Sequence, residues 1–232
     1  MSLRSAAPEG VPESDDLRAR STQPTRRLVA LSTACLGGAA AVGWSVRAHA
    51  PAVDSRVHGV AMDHRSETVL GLARVITHAG STLVVWPMIA IAALTYPRST
   101  GARRWTTAAM VAAGAGAAIG ARLAVSLLVQ RSRPPQLDWA TQAGGFAFPS
   151  GHTNAATIGA GVLAWAVARH LPSARARTLV WAAAVIYAGA VGWTRVWLGV
   201  HWPLDVVGGW LFGAGWLAGL AAVMRTRRTR YL

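Results

Sequence analysis

The 232-residue chain has no lysine, a single cysteine, and charged residues at only 14% of its positions. One cysteine cannot form an intramolecular disulfide, and it supplies too few thiolates for a cysteine-based metal site, so both frameworks are excluded. Hydrophobic residues make up 53% of the chain, a balance that is hard to reconcile with a soluble globular protein. The composition therefore predicts a membrane protein, and the length fits a single domain.

The basic residues are all arginine, and together with few acidic residues they give a formal net charge of +14. Such a charge could indicate nucleic-acid binding. The arginines, however, lie mainly at the edges of apolar runs, where the positive-inside rule places them in membrane proteins. We therefore expect the lipid bilayer as a partner and no nucleic acid.

Six apolar runs approach the roughly 20 residues that are needed to cross the hydrocarbon core of a bilayer. The predicted spans are residues 28–46, 83–96, 106–128, 153–168, 179–193 and 204–224, with a polar segment at residues 47–67 and a short interfacial helix at residues 69–78. The first run could instead be a signal peptide, because Ala48, His49 and Ala50 resemble a cleavage site. The long segment before it and Pro51 directly after it favour a retained span.

Arginines cluster in residues 97–104, in residues 169–177 and in the C-terminal tail. Placing these segments and the N-terminal arm in the cytoplasm satisfies the positive-inside rule. The sequence thus predicts an all-α bundle of six transmembrane helices in the cell membrane, with both termini cytoplasmic. Residues 1–27 are predicted to be a disordered cytoplasmic arm, residues 28–224 the membrane-embedded domain, and residues 225–232 a basic cytoplasmic tail.

Glycines recur four residues apart within the apolar runs. The pairs are Gly116 and Gly120, Gly209 and Gly213, and Gly215 and Gly219. We interpret them as positions where helix backbones approach closely, within one chain or between chains, so the oligomeric state is left open.

Polar residues are costly inside a membrane, so polar clusters at one end of several spans indicate a functional site. Three such clusters lie at the predicted outer face. Arg133 and Arg195 suit phosphate oxygens because the guanidinium group is a planar, bidentate donor. Ser150 and Gly151 precede a predicted helix, whose free N–H groups and dipole favour an anion. These residues predict an anion site facing outward.

His201 and Asp205 are four residues apart, so on a helical turn they share a face. If Asp205 accepts a hydrogen bond from one ring nitrogen of His201, the other nitrogen is unprotonated and nucleophilic. His152 can then protonate the leaving oxygen. Each residue alone could be a headgroup anchor or a structural ion pair, but together on one membrane face they predict hydrolysis of a phosphate ester through a phosphohistidine.

These residues resemble the three-part signature of the type 2 phosphatidic acid phosphatase family, also called lipid phosphate phosphatases, of the haloperoxidase-like superfamily. The first motif ends in Arg-Pro, which is present as Arg133 and Pro134. The central motif, Pro-Ser-Gly-His, is present as Pro149, Ser150, Gly151 and His152. The third motif, Ser-Arg followed by His and Asp, is matched by Thr194, Arg195, His201 and Asp205. The lysine that begins the first motif is replaced by Ser126.

The resemblance implies a lipid phosphatase that needs no metal or cofactor. It assigns His201 as nucleophile, Asp205 as its relay, His152 as general acid, and Arg133, Ser150, Gly151 and Arg195 as phosphate binders. Isoprenyl diphosphate, phosphatidate and phosphatidylglycerol phosphate all remain open as substrates. The alternative is a catalytically weak membrane protein that binds lipid phosphates; the related vanadium haloperoxidases are soluble and fit the six predicted spans poorly.

Two arginines could take the place of the missing lysine. Arg122 lies one turn before Ser126, and helical side chains lean toward the N-terminus of their helix, which is here away from the site. Arg131 is better placed by this argument and is the additional candidate for phosphate binding. The sequence therefore predicts that Arg131→Ala lowers activity more than Arg122→Ala.

Overall fold

The computed structural model describes residues 13–47, 51–97 and 100–229, and the regular elements of these segments are all helical. The α-helices are α1 (Glu13–Ser45), α2 (Ala52–Asp63), α3 (Glu67–His78), α4 (Thr82–Thr95), α5 (Gly101–Val129), α6 (Gly151–Ala168), α7 (Ala174–Trp197) and α8 (Pro203–Thr229). A single turn of 3-10 helix, Gln136–Asp138, lies in the long loop between α5 and α6. The predicted all-α class is confirmed.

Four of the described helices are long and apolar enough to cross a membrane, namely α5, α7 and the apolar parts of α1 and α8. Helices α3 and α4 meet at a bend of 41° and would together form a fifth span. Helix α6 does not meet the same test, because polar residues of the candidate site occupy its first turn. The chain is a multi-pass membrane protein, and the count of six spans stays a prediction.

Two helices extend beyond the predicted boundaries, and one lies within the predicted polar segment. Helix α1 begins at Glu13, inside the predicted disordered arm, and contains Pro24. Helix α8 likewise continues to Thr229, into the predicted tail. The predicted polar segment contains α2, whose one face, with Asp54 and His58, is buried against the protein. Residues 1–12 and 230–232 of the predicted arm and tail lie outside the described residues.

Helix α6 lies at the centre of the bundle and packs against α4, α5, α7 and α8. Its contact with α4 and α5 forms the main apolar core, in which Val85, Ile89, Val111 and Ile158 are buried almost completely. Packing in this apolar core fixes the positions of α4, α5 and α6 relative to one another. The buried polar and charged side chains of the described residues lie at one end of the bundle.

The predicted glycine pairs are packing positions to different degrees. A Cβ atom built on Gly209 would lie 2.9 Å from Cβ of Thr153 on α6, and one on Gly215 would lie 2.8 Å from Leu36 on α1. A Cβ atom on Gly116 would lie 3.1 Å from Trp86, whereas one on Gly120 would have nothing within 4 Å. The pairs of α8 therefore serve packing within the chain, and Gly120 does not.

Two loops meet at the polar end of the bundle. Gly199, after α7, has φ +73°, and a Cβ atom there would lie 2.1 Å from the carbonyl oxygen of Asp138. The backbone N–H of Ala140 donates to the carbonyl of Leu198 over 3.0 Å. Because only glycine tolerates both this backbone angle and this close approach, the loop after α7 is fixed against the loop before α6.

Candidate active site

The loop between α7 and α8 and the first turn of α8 together hold a buried histidine–carboxylate pair. His201 is only 2% exposed, and its Nδ1 lies 3.4 Å from Oδ2 of Asp205. The same oxygen accepts a hydrogen bond of 2.8 Å from the backbone N–H of Trp202. The carboxylate at the first turn of α8 is therefore held by the backbone while it faces the imidazole, in the arrangement that the spacing of the two residues predicts.

Arg133 approaches the other nitrogen of the same imidazole ring. Its Nη1 lies 3.1 Å from Nε2 of His201 and donates to the carbonyl oxygen of Val200 over 2.7 Å. Its Nη2 and Nε donate to carbonyl oxygens of Gly144 and Gly145. A guanidinium group can only donate, so Nε2 is the acceptor in this contact and the proton of the neutral ring belongs on Nδ1, beside Asp205.

Arg195, near the end of α7, is a second buried cation at the site. It is 3% exposed, and its Nη1 donates to Oγ1 of Thr77 over 2.8 Å. Its buried Nε has no hydrogen-bond partner among the described residues. A buried donor without a partner is costly, and an anion bound at this position would satisfy it.

The turn that starts α6 brings the remaining predicted residues to the same place. The backbone N–H of Ser150 donates to the carbonyl oxygen of Asp205 over 2.9 Å. The Oγ of Ser150 accepts a hydrogen bond from Oγ1 of Thr153, also over 2.9 Å. Gly151 is the first residue of α6, and His152 follows it. Burial, together with the charges of Arg195 and His201, lowers the pKa of His152 to about 3. The predicted nucleophile, acid and phosphate binders therefore converge at one end of the bundle.

Arg122 lies at the site, and the argument that its side chain points away is wrong. Its Nε donates to the carbonyl oxygen of Pro149 over 2.7 Å, and a Cβ atom built on Gly151 would lie 3.3 Å from its guanidinium carbon. Ser126 is four residues later on the same helix face and is 2% exposed. Arg122 thus contacts the Pro-Ser-Gly-His turn from a position one helical turn before that of the family lysine.

Arg131, the predicted substitute for the lysine, is engaged elsewhere. It is 4% exposed, its Nη1 donates to Oδ1 of Asp205 over 2.6 Å, and its Nη2 forms an ion pair with Asp54 of α2. Both ends of the guanidinium are therefore occupied by carboxylates. This contact set does not fit the predicted role in phosphate binding, because ion pairing satisfies the donors that phosphate would need.

Positive charge dominates around His201, the predicted nucleophile. Burial lowers the pKa of His201 well below 6.5, and the charges of Arg133, Arg195 and Arg122 lower it further. Burial also lowers the pKa of Arg133, whose charge is partly compensated by Asp205. The imidazole is thus kept neutral, as a nucleophile must be, and the surrounding guanidinium groups favour an anionic ligand.

Sequence reasoning missed two residues at the site, Thr77 and Asp54, and placed a third, Arg122, away from it. Thr77 holds Arg195, Asp54 holds Arg131, and Arg122 contacts the turn before α6. The signal for Asp54 was its position four residues before His58 in an otherwise polar segment, a spacing that places two buried polar residues on one face of a helix. Thr77 gave no signal, because a threonine near a helix end is common. The described residues contain no group of three or more His, Cys, Asp or Glu side chains placed to hold a metal ion.

Comparison with known families and proteins matches these residues to phosphatases. The model of the PAP2 superfamily matches residues 108–229. An undecaprenyl-diphosphatase of Sulfolobus acidocaldarius is 36% identical over 76 residues, which is 33% of this chain and 32% of that protein. Phosphatidylglycerophosphatase B of Bacillus subtilis is 41% identical over 69 residues, 29% of this chain and 34% of that protein. The chain thus spans about a third of the length of these two relatives.

A longer match covers most of a third relative. Decaprenylphosphoryl-5-phosphoribose phosphatase of Mycobacterium tuberculosis is 30% identical over 155 residues, 63% of this chain and 75% of that protein. Among solved structures, the PAP2-type phosphatidylglycerolphosphate phosphatase of Bacillus subtilis aligns with a TM-score of 0.73 at 24% identity, over 84% of this chain and 96% of that one. LpxE of Aquifex aeolicus aligns with a TM-score of 0.55 at 20% identity, over 75% and 96% of the two chains. These two likenesses show a shared fold.

Proposed function

Because the chain belongs to the PAP2 superfamily, we propose that it is an integral-membrane lipid phosphatase that works through a phosphohistidine at His201. The observation that carries the proposal is the buried imidazole of His201, whose Nε2 lies 3.1 Å from Nη1 of Arg133 and whose Nδ1 lies 3.4 Å from Oδ2 of Asp205. The substrate is a phosphate or diphosphate monoester headgroup, and the chain needs no metal to hydrolyse it. The excess of arginine around a neutral nucleophile fits this substrate and not a cationic one.

In the first step Nε2 of His201 forms a bond to phosphorus as the bond from phosphorus to the leaving oxygen breaks. Burial and nearby arginines lower the pKa of His152, and the negative charge of the bound headgroup offsets these arginines, so His152 is protonated in the complex and donates its proton to that oxygen. The lipid alcohol, or the lipid monophosphate from a diphosphate, then leaves without a new charge. Arg133 and Arg195 stabilise the negative charge on the phosphoryl oxygens, and Asp205 stabilises the positive charge on the imidazole. The product of this step is phosphohistidine.

In the second step water attacks phosphorus and the bond from phosphorus to Nε2 breaks. His152, now neutral, takes the proton from the attacking water and so regains the form that it needs for the next cycle. Inorganic phosphate leaves, and His201 returns to the neutral ring with its proton on Nδ1. Splitting one slow hydrolysis into two displacements is how a nucleophilic residue accelerates this class of reaction.

The lipid and the side of the membrane form the finer part of the proposal. Two of the three relatives described above have names that specify polyprenyl phosphates, which favours a polyprenyl carrier over phosphatidate. The distribution of arginine supports six spans with both termini in the cytoplasm. The site then faces outward from the cell membrane, where such a carrier releases its cargo and is dephosphorylated.

The test is phosphate release from the purified, detergent-solubilised protein with a chelator present. Undecaprenyl diphosphate, phosphatidate and phosphatidylglycerol phosphate are compared as substrates. We expect His201→Ala to lose roughly 10⁴-fold or more in kcat, as removal of a nucleophile does in hydrolases. The matched control is His64→Ala, because His64 is exposed at the end of α2.

Phosphate release that persists in both His201→Ala and His152→Ala would reject the mechanism. Stoichiometric lipid binding by the wild-type protein with no release of phosphate would instead favour the weak lipid-binding alternative. Trapping of a base-stable, acid-labile phosphoryl group on His201 during turnover would identify the intermediate directly.

A further inference from the structure

Arg131 is buried between two carboxylates from different parts of the chain. Asp54, on α2, and Asp205, on α8, are both 0% exposed, and Arg131 is 4% exposed. One Nη atom of Arg131 pairs with Asp54 and the other donates to Asp205 over 2.6 Å. The guanidinium of Arg131 therefore joins the carboxylates of Asp54 and Asp205 in one network. Asp205, at one end of this network, faces His201.

Asp54 is also bonded to the backbone that carries Asp205. Its Oδ1 accepts a hydrogen bond of 2.9 Å from the N–H of Leu204, in the first turn of α8. The first N–H groups of a helix have no partner within the helix, so this contact satisfies one of them. Asp54 thus contacts Arg131, which is bonded to Asp205, and Leu204, the residue before Asp205.

Other contacts fix α2 against the same loops. Nε2 of His58 lies 2.9 Å from Oδ2 of Asp138, and its ring lies 5.1 Å from the ring of Trp202. Arg65, just beyond α2, donates from Nε to the carbonyl of Trp197 over 2.9 Å. Asp54 is therefore carried by a helix that is anchored on both loops of the site, although it lies outside residues 108–229, the part matched by the family model.

We propose that Asp54 is a positioning residue for the reaction at His201, and that it acts by neutralising Arg131. The proposal rests on the proposed function, since it concerns the same nucleophile. With one guanidinium between two carboxylates, the network carries one net negative charge. Asp205 can then direct that charge at the imidazole when His201 becomes cationic in the phosphohistidine.

Without the charge on Asp54, Arg131 would have Asp205 as its sole ionic partner in the network. The pair would be neutral as a whole, and the carboxylate would be drawn toward the arginine and away from His201. A buried charge interacts more strongly with its neighbours than an exposed one, so the imbalance would not be screened by water. The loss should appear in the chemical step and not in the binding of the lipid.

The test variant is Asp54→Asn, which keeps the shape of the side chain and an oxygen that can accept from Leu204. We expect kcat for phosphate release to fall roughly 10- to 100-fold, the range seen when a group that orients a catalytic side chain is removed. We expect KM to change less than about 3-fold, because Asp54 does not touch the substrate. Asp63→Asn, an exposed acid at the other end of α2, is the matched control and should retain wild-type kcat.

A second variant separates this role from a merely structural one. In Arg131→Met the cation is absent, and Asp205 keeps its charge for His201. Combining Asp54→Asn with Arg131→Met should therefore give a higher kcat than Asp54→Asn alone, within about tenfold of the wild-type value, because no unpaired arginine competes for the carboxylate. A residue that only stabilised the fold would show losses that accumulate in the double variant.

Three outcomes would overturn the proposal: an unchanged kcat in Asp54→Asn, losses that add in the double variant, or a rise in KM with kcat unchanged. If Asp54→Asn does not fold, as judged by its thermal unfolding and elution profile, the double variant decides, and inactivity of that variant in folded form rejects the idea. Failure of the proposed function looks different, since the wild-type protein itself would then release no phosphate. Activity in the wild type, its loss in His201→Ala and normal kcat in Asp54→Asn would reject this inference alone.

Discussion

The buried arginines near His201 form two groups that differ in their partners. Arg131 lies between Asp54 and Asp205 and its charge is fully matched. Arg122, Arg133 and Arg195 donate to backbone carbonyls or a hydroxyl and form no ion pair in the described part of the chain. A buried cation without a counter-ion is unstable unless an anion comes to it. Arg131, whose charge is matched, therefore orders the protein, and we propose that the three unmatched arginines bind phosphate.

Of the changes to these arginines, removing one that has no carboxylate partner should have the largest effect on activity. We expect Arg195→Ala to lower kcat/KM roughly 1000-fold, since it removes a preorganised charge from the transition state. Thr77→Val is the matched control, because it removes only the hydroxyl that accepts from Nη1 of Arg195, and it should cost less than about tenfold. Steady-state phosphate release measures both. Equal losses in the two variants would mean that Arg195 acts by supporting α3 and not by binding phosphate.

Arg122 offers a test in which the lost charge can be returned. We expect Arg122→Ala to lower kcat/KM roughly 100-fold, as removal of one donor to a transition state does. Ser126→Lys in the Arg122→Ala background restores the family lysine and should recover at least part of the loss, because the vacated space lies on the same helix face. Ser126→Lys with Arg122 present should lower activity, since Ser126 is 2% exposed and two cations would compete for one space.

If Ser126→Lys fails to improve Arg122→Ala, Arg122 does not stand in for the lysine. The comparison with Arg131→Ala also decides the ranking that sequence reasoning gave. A larger loss of kcat/KM in Arg122→Ala than in Arg131→Ala would reverse that ranking.

The pH at which activity falls on acidification depends on the arginines that have no carboxylate partner, because their charges act on His201. Because burial and the arginines lower the pKa of His201 below 6.5, the neutral, nucleophilic ring persists at a pH where an ordinary histidine would be protonated. The acid limb of kcat/KM should therefore lie below pH 6.5, and Arg133→Gln should move it to higher pH. Arg104→Gln, an exposed change at the other end of α5, should leave the limb in place. Titration of the substrate phosphate by phosphorus NMR is needed to separate its own protonation.

Much of the site could be read from the sequence because its chemistry is local. His201 and Asp205 are close in sequence, and so are the residues of the Pro-Ser-Gly-His turn. The sequence therefore predicts the contact of the pair and a helix directly after Gly151, which the structure begins at Gly151 itself. These contacts depend on short segments whose geometry follows from helix periodicity.

The partners of the arginines could not be read in the same way. Whether Arg122 or Arg131 reaches the phosphate position depends on how α5 is rotated against α6, and on a carboxylate that is distant in sequence, Asp54. The rule that helical side chains lean toward the N-terminus gave the wrong result for Arg122, because an arginine side chain is long enough to reach sideways to Pro149. Span counting met a similar limit at α6, whose polar first turn is part of the site.

The smallest effect on chemistry should come from a change that touches neither set of arginines. Gly209→Ala places a Cβ atom 2.9 Å from Cβ of Thr153 and 3.0 Å from the carbonyl oxygen of Ser150, so α8 must move away from α6. We expect a destabilisation of about 1–3 kcal/mol, typical of overpacking, measured as thermal unfolding in detergent. Because α8 carries Asp205 and α6 carries Ser150, kcat should fall several-fold with no change in the acid limb of the pH profile.

Gly120→Ala is the matched control for this change, since a Cβ atom at that glycine meets nothing within 4 Å. It should be neutral or stabilising by up to about 1 kcal/mol, because alanine favours a helix over glycine. A strong destabilisation in Gly120→Ala would point to a contact with a second chain at that face of α5. An altered acid limb in Gly209→Ala would show that the charges around His201 depend on helix spacing as well as on which arginines have carboxylate partners.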